Sequence, residues 1–449
     1  MSAIAVVGGG ISGLAAAWEL SADAGTEVIV YEAADRVGGK IHTSAFAGRQ
    51  VDEGADAFLR RVPDALALCA EIGLDDLVSP ATGSAFLWID GQLRRLPGGL
   101  VLGVPARFDE LEASGILSHW GLARAMHEPD LDGEPLVGDC TIGSLISRRY
   151  GTEVTERLVG PLLGGINAGA IDEMSLDAVV PQLAAVAHRS ASLSVGLAET
   201  LPPPGTAATE PVFSAPVGGM GVLVDRLHDA LLARGVRFEL GRPLDELPTA
   251  GGVVVTVPAD VAARLLAPRS AAAAAALGAI EFASVVFTTI AYRADDVGVP
   301  LDGSGFLAPR DSGLSITAVS WASAKWAHLA GDPVVLRVSM GHAGEDGAAA
   351  AIDLDDDAVL AAVRADLATT MGITAAPVEH RITRYRNGFP QYEVGHLDRV
   401  DRLEADLLAD APDLAVCGMA HRGVGIPACI REARHAARAL ADRLAGAAR

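Results

Sequence analysis

Ala3-Ile4-Ala5-Val6-Val7-Gly8-Gly9-Gly10-Ile11-Ser12-Gly13, completed by Thr26 to Glu32, is the stretch that decides the fold. The unbroken apolar run Ala3 to Val7 reads as a buried strand and the glycines as a turn. Alanine-rich Ser12 to Leu20 reads as a helix, and Thr26 to Tyr31 as a second strand ending in an acid, Glu32. This is one βαβ unit with Gly8-x-Gly10-x-x-Gly13 at its strand-to-helix turn. Glycines at those positions permit the tight turn and let backbone approach a pyrophosphate, whose charge sits at the positive end of the helix. The acid accepts hydrogen bonds from a ribose. Gly8, Gly9, Gly10, Ile11, Ser12, Gly13 and Glu32 are therefore expected to hold a dinucleotide.

Working outward, an amphipathic helix is predicted over Pro63 to Leu77 and a hairpin over Phe86 to Leu96, with Asp90-Gly91 as its turn. Pro105 to Leu201 reads as mainly helical and ends in Leu201-Pro202-Pro203-Pro204-Gly205. Another helix, Val222 to Arg234, precedes a buried strand, Gly252 to Val257. Ala283 to Tyr292, Leu314 to Ser320 and Val334 to Met340 carry the pattern of an antiparallel sheet. The acids Asp353 to Asp357 fit a helix N-terminus, which favours negative side chains. The expected organisation is a discontinuous nucleotide domain (1–60, 212–270, 396–449), a β-rich substrate domain (61–104, 275–395) and a helical domain (105–205).

Composition narrows the function. A chain of 449 residues exceeds one ordinary core and leaves room for a large cofactor. The formal charge of -22 argues against a nucleic-acid partner, which needs a basic surface. Cys69, Cys140, Cys417 and Cys429 show no Cys-x-x-Cys spacing, and the histidines show no ligand pattern, so neither a disulfide framework nor a metal site is expected. No basic segment precedes the first apolar run, so no signal peptide is expected. The longest apolar stretch, around Ala271 to Ile280, is too short to span a bilayer. A cytoplasmic protein with at most peripheral membrane contact is the expectation.

Two further motifs distinguish among dinucleotides. Glu32 is followed by Ala33-Ala34-Asp35-Arg36-Val37-Gly38-Gly39-Lys40 and then by Val51-Asp52-Glu53-Gly54-Ala55-Asp56, which NAD-binding units do not require. Near the other end, Gly423-Val424-Gly425-Ile426-Pro427-Ala428 leads from a strand, Leu414 to Gly418, into a helix, with Pro427 suited to its first turn. Together these resemble the extended signature of the glutathione-reductase-like flavoproteins, in the branch that holds amine oxidases, phytoene desaturases and protoporphyrinogen oxidases. The resemblance implies FAD, in a Rossmann-like α/β domain joined to an antiparallel-sheet (α+β) substrate domain with a helical insertion. It places Ala33, Arg36, Gly39 and Lys40 along the ribose and pyrophosphate, and Gly54, Ala55, Asp56 and Ala57 near the flavin ring. Val424, Gly425 and Ile426 fall at the pyrimidine edge, where a helix N-terminus stabilises the anion formed on reduction.

Over nearly the whole chain the resemblance narrows. Val51 to Leu59, Pro161-Leu-Leu-Gly-Gly-Ile166 with Ala168-Gly169, Pro390-Gln391-Tyr392 with Gly395-His396, and Gly423 to Ile430 are similar to the bacterial porphyrinogen oxidases of haem synthesis. The coproporphyrinogen III type of Gram-positive bacteria is the nearest. The implied reaction is a six-electron oxidation of a tetrapyrrole in three two-electron steps, with dioxygen reoxidising the flavin to release hydrogen peroxide. The flavin carries that chemistry, so no catalytic side chain is assigned. The product's implied recipient is a coproporphyrin ferrochelatase. Arg60, Arg61, Arg94 and Arg95 are the candidates for the substrate's propionates, and Gly165 and Ile166 for its apolar wall. Alternatives left open are a protoporphyrinogen IX oxidase, a flavin amine oxidase, or a flavin-binding haem-pathway scaffold without turnover. The low aromatic content, 4%, counts against the aromatic cage of an amine oxidase.

The sequence departs from the family pattern in three places. Gly241 to Gly252 joins two strands where relatives carry an extra β-meander, leaving Leu244 as the residue expected at the adenine. Tyr385 stands where tryptophan is common near the flavin, and His421-Arg422 replaces an aromatic followed by a charged residue.

Overall fold

The structure, a computed structural model, describes residues 3–23, 25–203, 211–344 and 350–447; the end of the predicted proline loop, Pro204-Gly205, lies outside them. Ile4–Val7 forms the centre of a five-stranded parallel sheet, in the order 237–239, 28–31, 4–7, 252–255, 414–416. Val7 stands in register with Tyr31 on one side and Val255 on the other, and Val255 with Val416. Ile4–Val7, Gly252–Val255 and Leu414–Val416 are buried along their whole length, as their unbroken apolar runs require in a sheet covered on both faces. Because the strands are parallel, the residues that follow them, Gly8, Glu32, Thr256 and Cys417, emerge at one edge.

Helix Ile11–Leu20 packs its alanines Ala15, Ala16 and Ala17 without exposure. Small side chains there let it lie close against the sheet and under the chain's last helix, Ile426–Ala447. Arg434 and Arg438 of that last helix both pair with Glu19. The two ends of the polypeptide are thereby packed together.

A second sheet has seven strands, in the order 379–390, 282–292, 334–340, 316–320, 305–307, 86–89, 92–95. It is antiparallel as expected except between Gly305–Leu307 and Phe86–Ile89, which run parallel. The predicted hairpin turn is present, with Asp90 and Gly91 both at positive φ (51° and 75°). Helix Asp356–Met371 covers this sheet, and Asp355 caps it by accepting from the Ala358 N–H at 2.8 Å, so the acid cluster is a helix start.

Two expectations need correction. The helix predicted from Pro63 to Leu77 spans only Asp64–Glu71, because Gly73 turns to φ +67° and ends it. Glu379–Pro390, not foreseen as a strand, is the longest strand at 12 residues. Its charges hid it. It lies at the sheet edge, where charged side chains are tolerated and protect against further pairing.

Between the sheets' strands, residues 109–198 form a helical layer with its own apolar core. Within it Thr155–Gly164 is wound as a π-helix containing Pro161, and leads into Gly165–Asn167. Among the described residues no helix is long and apolar enough to cross a membrane.

Candidate active site

One cleft of roughly 780 Å³ runs from the parallel sheet's carboxyl edge to the second sheet. That size falls within the ~300–1,000 Å³ typical of cofactor sites. It is lined both by the N-terminal glycine turn and by the start of the C-terminal helix.

At its first end Gly8, Gly10, Ile11 and Ser12 face the cleft, while Gly9 and Gly13 lie behind them. Gly13 is where the helix touches the strand: a Cβ there would stand 1.8 Å from the Gly8 carbonyl oxygen. Gly10 is the opposite case, since a Cβ on it would meet nothing within 4 Å. The helix begins at Gly10 with no side-chain cap, so its first N–H groups are left for a ligand. Glu32 accepts from the Gly9 N–H at 2.6 Å through one oxygen and from the Ala34 N–H at 2.8 Å through the other. A carboxylate has about four acceptor sites, so it keeps capacity for ribose hydroxyls. Ala33 and Leu244 line the same end, and Arg242 and Pro243 lie beside them. The Arg242 N–H holds this short connection by donating to the Glu32 carbonyl at 2.9 Å.

Beyond the turn, Gly39, Lys40, Gly54, Ala55 and Asp56 line the cleft. Lys40 is braced rather than free: its ammonium donates to the Gly388 carbonyl at 2.8 Å and lies 3.0 Å from the Met419 sulfur, and burial pulls its pKa down. Arg36 and Ala57 do not line the cleft; the Arg36 guanidinium donates to the carbonyls of Val37 and Gly39. Tyr385 lines the far end and meets Phe287 edge-on at 6.0 Å, with Phe389 nearby.

Val424 and Ile426 bring the C-terminal helix start into the cleft, with Gly425 just outside. Tyr392 and His396 hold this turn. The Tyr392 hydroxyl donates to the Met419 carbonyl and accepts from the Gly423 N–H at 3.0 Å. The His396 ring stacks on Tyr392 at 4.0 Å and reaches the His421 carbonyl at 2.7 Å. His421 is buried, its Nδ1 is 3.3 Å from the Gly418 carbonyl, and burial pushes its pKa down to about 4, leaving it neutral. Burial pushes the Cys429 thiol up to about 11 and raises Cys417 further, so neither is a thiolate at neutral pH.

None of Arg60, Arg61, Arg94, Arg95, Gly165 and Ile166 lines the cleft. Arg60 donates to the Ser214 hydroxyl at 2.8 Å, Arg94 lies against Gly115, and Arg95 pairs with Asp302 at 2.6 Å. Arg61 is exposed. The 165–168 segment comes nearer: Ala168 packs in the small apolar cluster that includes Phe287, Tyr385 and Phe389. Residues that sequence reasoning missed are Thr256 to Pro258, Phe287, Ser320, Lys325, Arg337 and Phe389, all in the lining. Thr256 was within reach, since it follows a strand parallel to Ile4–Val7 and must share its edge. The others come from remote segments with no local signal.

The donor set fits a long, amphipathic dinucleotide. His421 Nε2, Ser320 Oγ and Arg337 Nε are buried in the lining without a partner among the described residues, and such atoms call for a polar ligand. An open glycine cradle and an acid sit at one end, aromatic and apolar walls at the other.

Comparison with known proteins agrees. Residues 11–441 match the family of flavin containing amine oxidoreductases. The coproporphyrinogen III oxidase of Mycobacterium tuberculosis is 35% identical, covering 98% of this chain and 97% of its own. That of Bacillus subtilis is 31% identical over 96% of each. The crystal structure of a protein from Exiguobacterium sp. 255-15, assigned as a protoporphyrinogen oxidase, superposes with a TM-score of 0.87 at 29% identity, covering 98% of both chains. The chain therefore belongs to the flavin containing amine oxidoreductases, and FAD is the cofactor its cleft is built to hold.

Proposed function

We propose that the protein oxidises coproporphyrinogen III to coproporphyrin III in haem biosynthesis, with dioxygen as final acceptor and release of hydrogen peroxide. The observation that carries this reading is a continuous cleft joining both ends of a chain that is similar to coproporphyrinogen III oxidases over nearly its whole length. When bound, the flavin supplies the hydride-accepting centre and returns the electrons to dioxygen.

The chain's own residues bind, orient and exclude. The first-turn amides at Ile11 and Ser12 receive the pyrophosphate and Glu32 the ribose, with Ala33 and Leu244 against the adenosine. The adenosine end would fix the direction, so Gly54 to Asp56, Tyr385, Val424 and Ile426 would hold the isoalloxazine. Phe287, Tyr385 and Phe389 give the macrocycle an apolar wall that can hold a bridging carbon towards the ring. From the helical layer, Ala168 packs against that wall, and Gly165 and Ile166, just before it in the chain, remain our candidates for the substrate's apolar contact although they do not line the cleft.

No general base is assigned. Asp56 is held ionised well below the usual carboxylate range; burial opposes this, and Lys325 and Arg337 outweigh it. With the cleft thiols protonated, pyrrole protons pass to solvent. Arg60 and Arg61 remain our candidates for propionates, since they directly follow the flavin-facing segment. The product is proposed to pass to a coproporphyrin ferrochelatase. The four unpaired cysteines suit a reducing cytoplasm.

Side-by-side turnover of coproporphyrinogen III and protoporphyrinogen IX, followed by porphyrin fluorescence and peroxide release, tests the assignment. Faster turnover of coproporphyrinogen is expected; preference for protoporphyrinogen would overturn the substrate. A flavin that stays oxidised with both under anaerobic conditions would favour a scaffold.

A further inference from the structure

Asp56, Lys325 and Arg337 meet at the far end of the cleft, and all three line it. The Lys325 ammonium lies 2.8 Å and 3.1 Å from the two Asp56 oxygens, and the Trp326 indole N–H donates to Asp56 at 3.1 Å. Arg337 reaches the same carboxylate at 3.4 Å and donates to the Gly54 carbonyl. The side chains are only 17%, 17% and 7% exposed, in the order Asp56, Lys325, Arg337.

Two cations here answer one carboxylate. The next acid along the chain, Glu53, is taken up by Arg381 at 3.7 Å and His42 at 3.1 Å. Asp52 accepts from the Thr43 hydroxyl and from the Met220 N–H at 2.9 Å. Arg337 also acts on Asp52 through space, yet among the described residues Asp56 is the carboxylate that both cations contact, and two buried cations on one carboxylate are a cost that a brace alone does not explain. The two cations lie where the isoalloxazine would fall once Glu32 takes the ribose, and their side chains are largely buried, so a fixed charge there acts strongly.

We propose that Lys325 and Arg337, positioned by Asp56, raise the reduction potential of the bound flavin. Hydride transfer breaks a C–H bond of the porphyrinogen, moves its electron pair and hydrogen to the ring system, and releases a pyrrole N–H proton to solvent. The ring system gains one negative charge, which the excess positive charge stabilises. This rests on the FAD reading above.

The test is the midpoint potential of the FAD-loaded enzyme, measured by dye equilibration. Lys325→Met is expected to lower the reduction equilibrium constant about tenfold, roughly 30 mV for a two-electron couple. Lys325→Arg should stay near the parent. Asp56→Asn should move the potential the other way, about tenfold upward, because it removes the carboxylate that both cations contact. A purely structural role would shift Lys325→Met and Asp56→Asn in the same direction or neither, and that result overturns the proposal. Where Asp56→Asn fails to retain FAD, Lys325→Met against Lys325→Arg decides. Parent protein that takes up no FAD sinks the cofactor reading and this inference with it; yellow variants with unchanged potentials sink only the inference.

Discussion

The two ends of the cleft are built in opposite ways. At the first, residues 8–13 and Glu32 come from one short stretch, and the contacts are backbone: an open glycine, uncapped helix amides, and an acid folded onto its own turn. At the second, side chains arrive from segments hundreds of positions apart, with Asp56 and Lys325 separated by 269 residues. The first end needs shape and fixed dipoles, and so decides whether the cofactor binds. The second supplies charge and aromatic surface, and so decides what the bound cofactor does. Substitutions should separate along the same line.

The sharpest break is Gly13→Ala. Its Cβ would meet backbone at 1.8 Å, which cannot move aside as a side chain could. A loss at or beyond the upper end of ~1–3 kcal/mol is expected, read as a lower melting temperature together with loss of the flavin absorbance. Normal melting with full FAD content would contradict the packing role.

Two acids on the way to the far end sharpen the contrast. Asp56 has cations beside it, whereas burial dominates Asp52 and pushes its pKa up to about 6 from 3.8. A carboxyl with a raised folded pKa binds its proton more tightly when folded. Its contribution is therefore present below about pH 4 and is lost as pH rises through 6. Asp52→Asn should gain on the parent between pH 4 and pH 7 by up to about 3 kcal/mol. Denaturant melts at the two pH values check this, and an unchanged gap would refute it.

Glu32→Gln comes next. It weakens charge-assisted hydrogen bonds worth about 1.5–3 kcal/mol, so FAD should dissociate some ten- to hundredfold more readily in a fluorescence titration, with the potential of the remaining bound flavin unmoved. A shifted potential with unchanged affinity would blur the division between the ends. Tyr385→Leu should show the smallest effect. Removing its edge-on contact with Phe287, worth about 0.5–1.5 kcal/mol, should raise the Michaelis constant for the porphyrinogen roughly two- to tenfold while FAD stays bound. Loss of FAD instead would mean that Tyr385 belongs to the binding end.

Legibility in the sequence followed the same division. The βαβ unit could be read because its strand, turn, helix and acid lie within about thirty positions, and each obeys a local rule. Gly54 to Asp56 and Val424 to Ile426 were reached through resemblance, and the structure brings both segments to the cleft with the N-terminal turn. Lys325 and Arg337 carry no local mark: each is an isolated cation in a β-rich stretch, and only the pairing of Val334–Met340 with its neighbours aims Arg337 at Asp56. The strand Glu379–Pro390 was obscured for a related reason, because an edge strand need not alternate apolar and polar residues. Arg94 and Arg95 looked available as charges, yet one lies against Gly115 and the other is held by Asp302.

The central claim is that one FAD spans both ends of the cleft. Stripping the flavin and titrating it back, with and without ADP, tests this most directly, since ADP fills only the glycine end. Uptake of one FAD per chain, weakened competitively by ADP, is the predicted result; no uptake, or uptake that ADP leaves untouched, would contradict it.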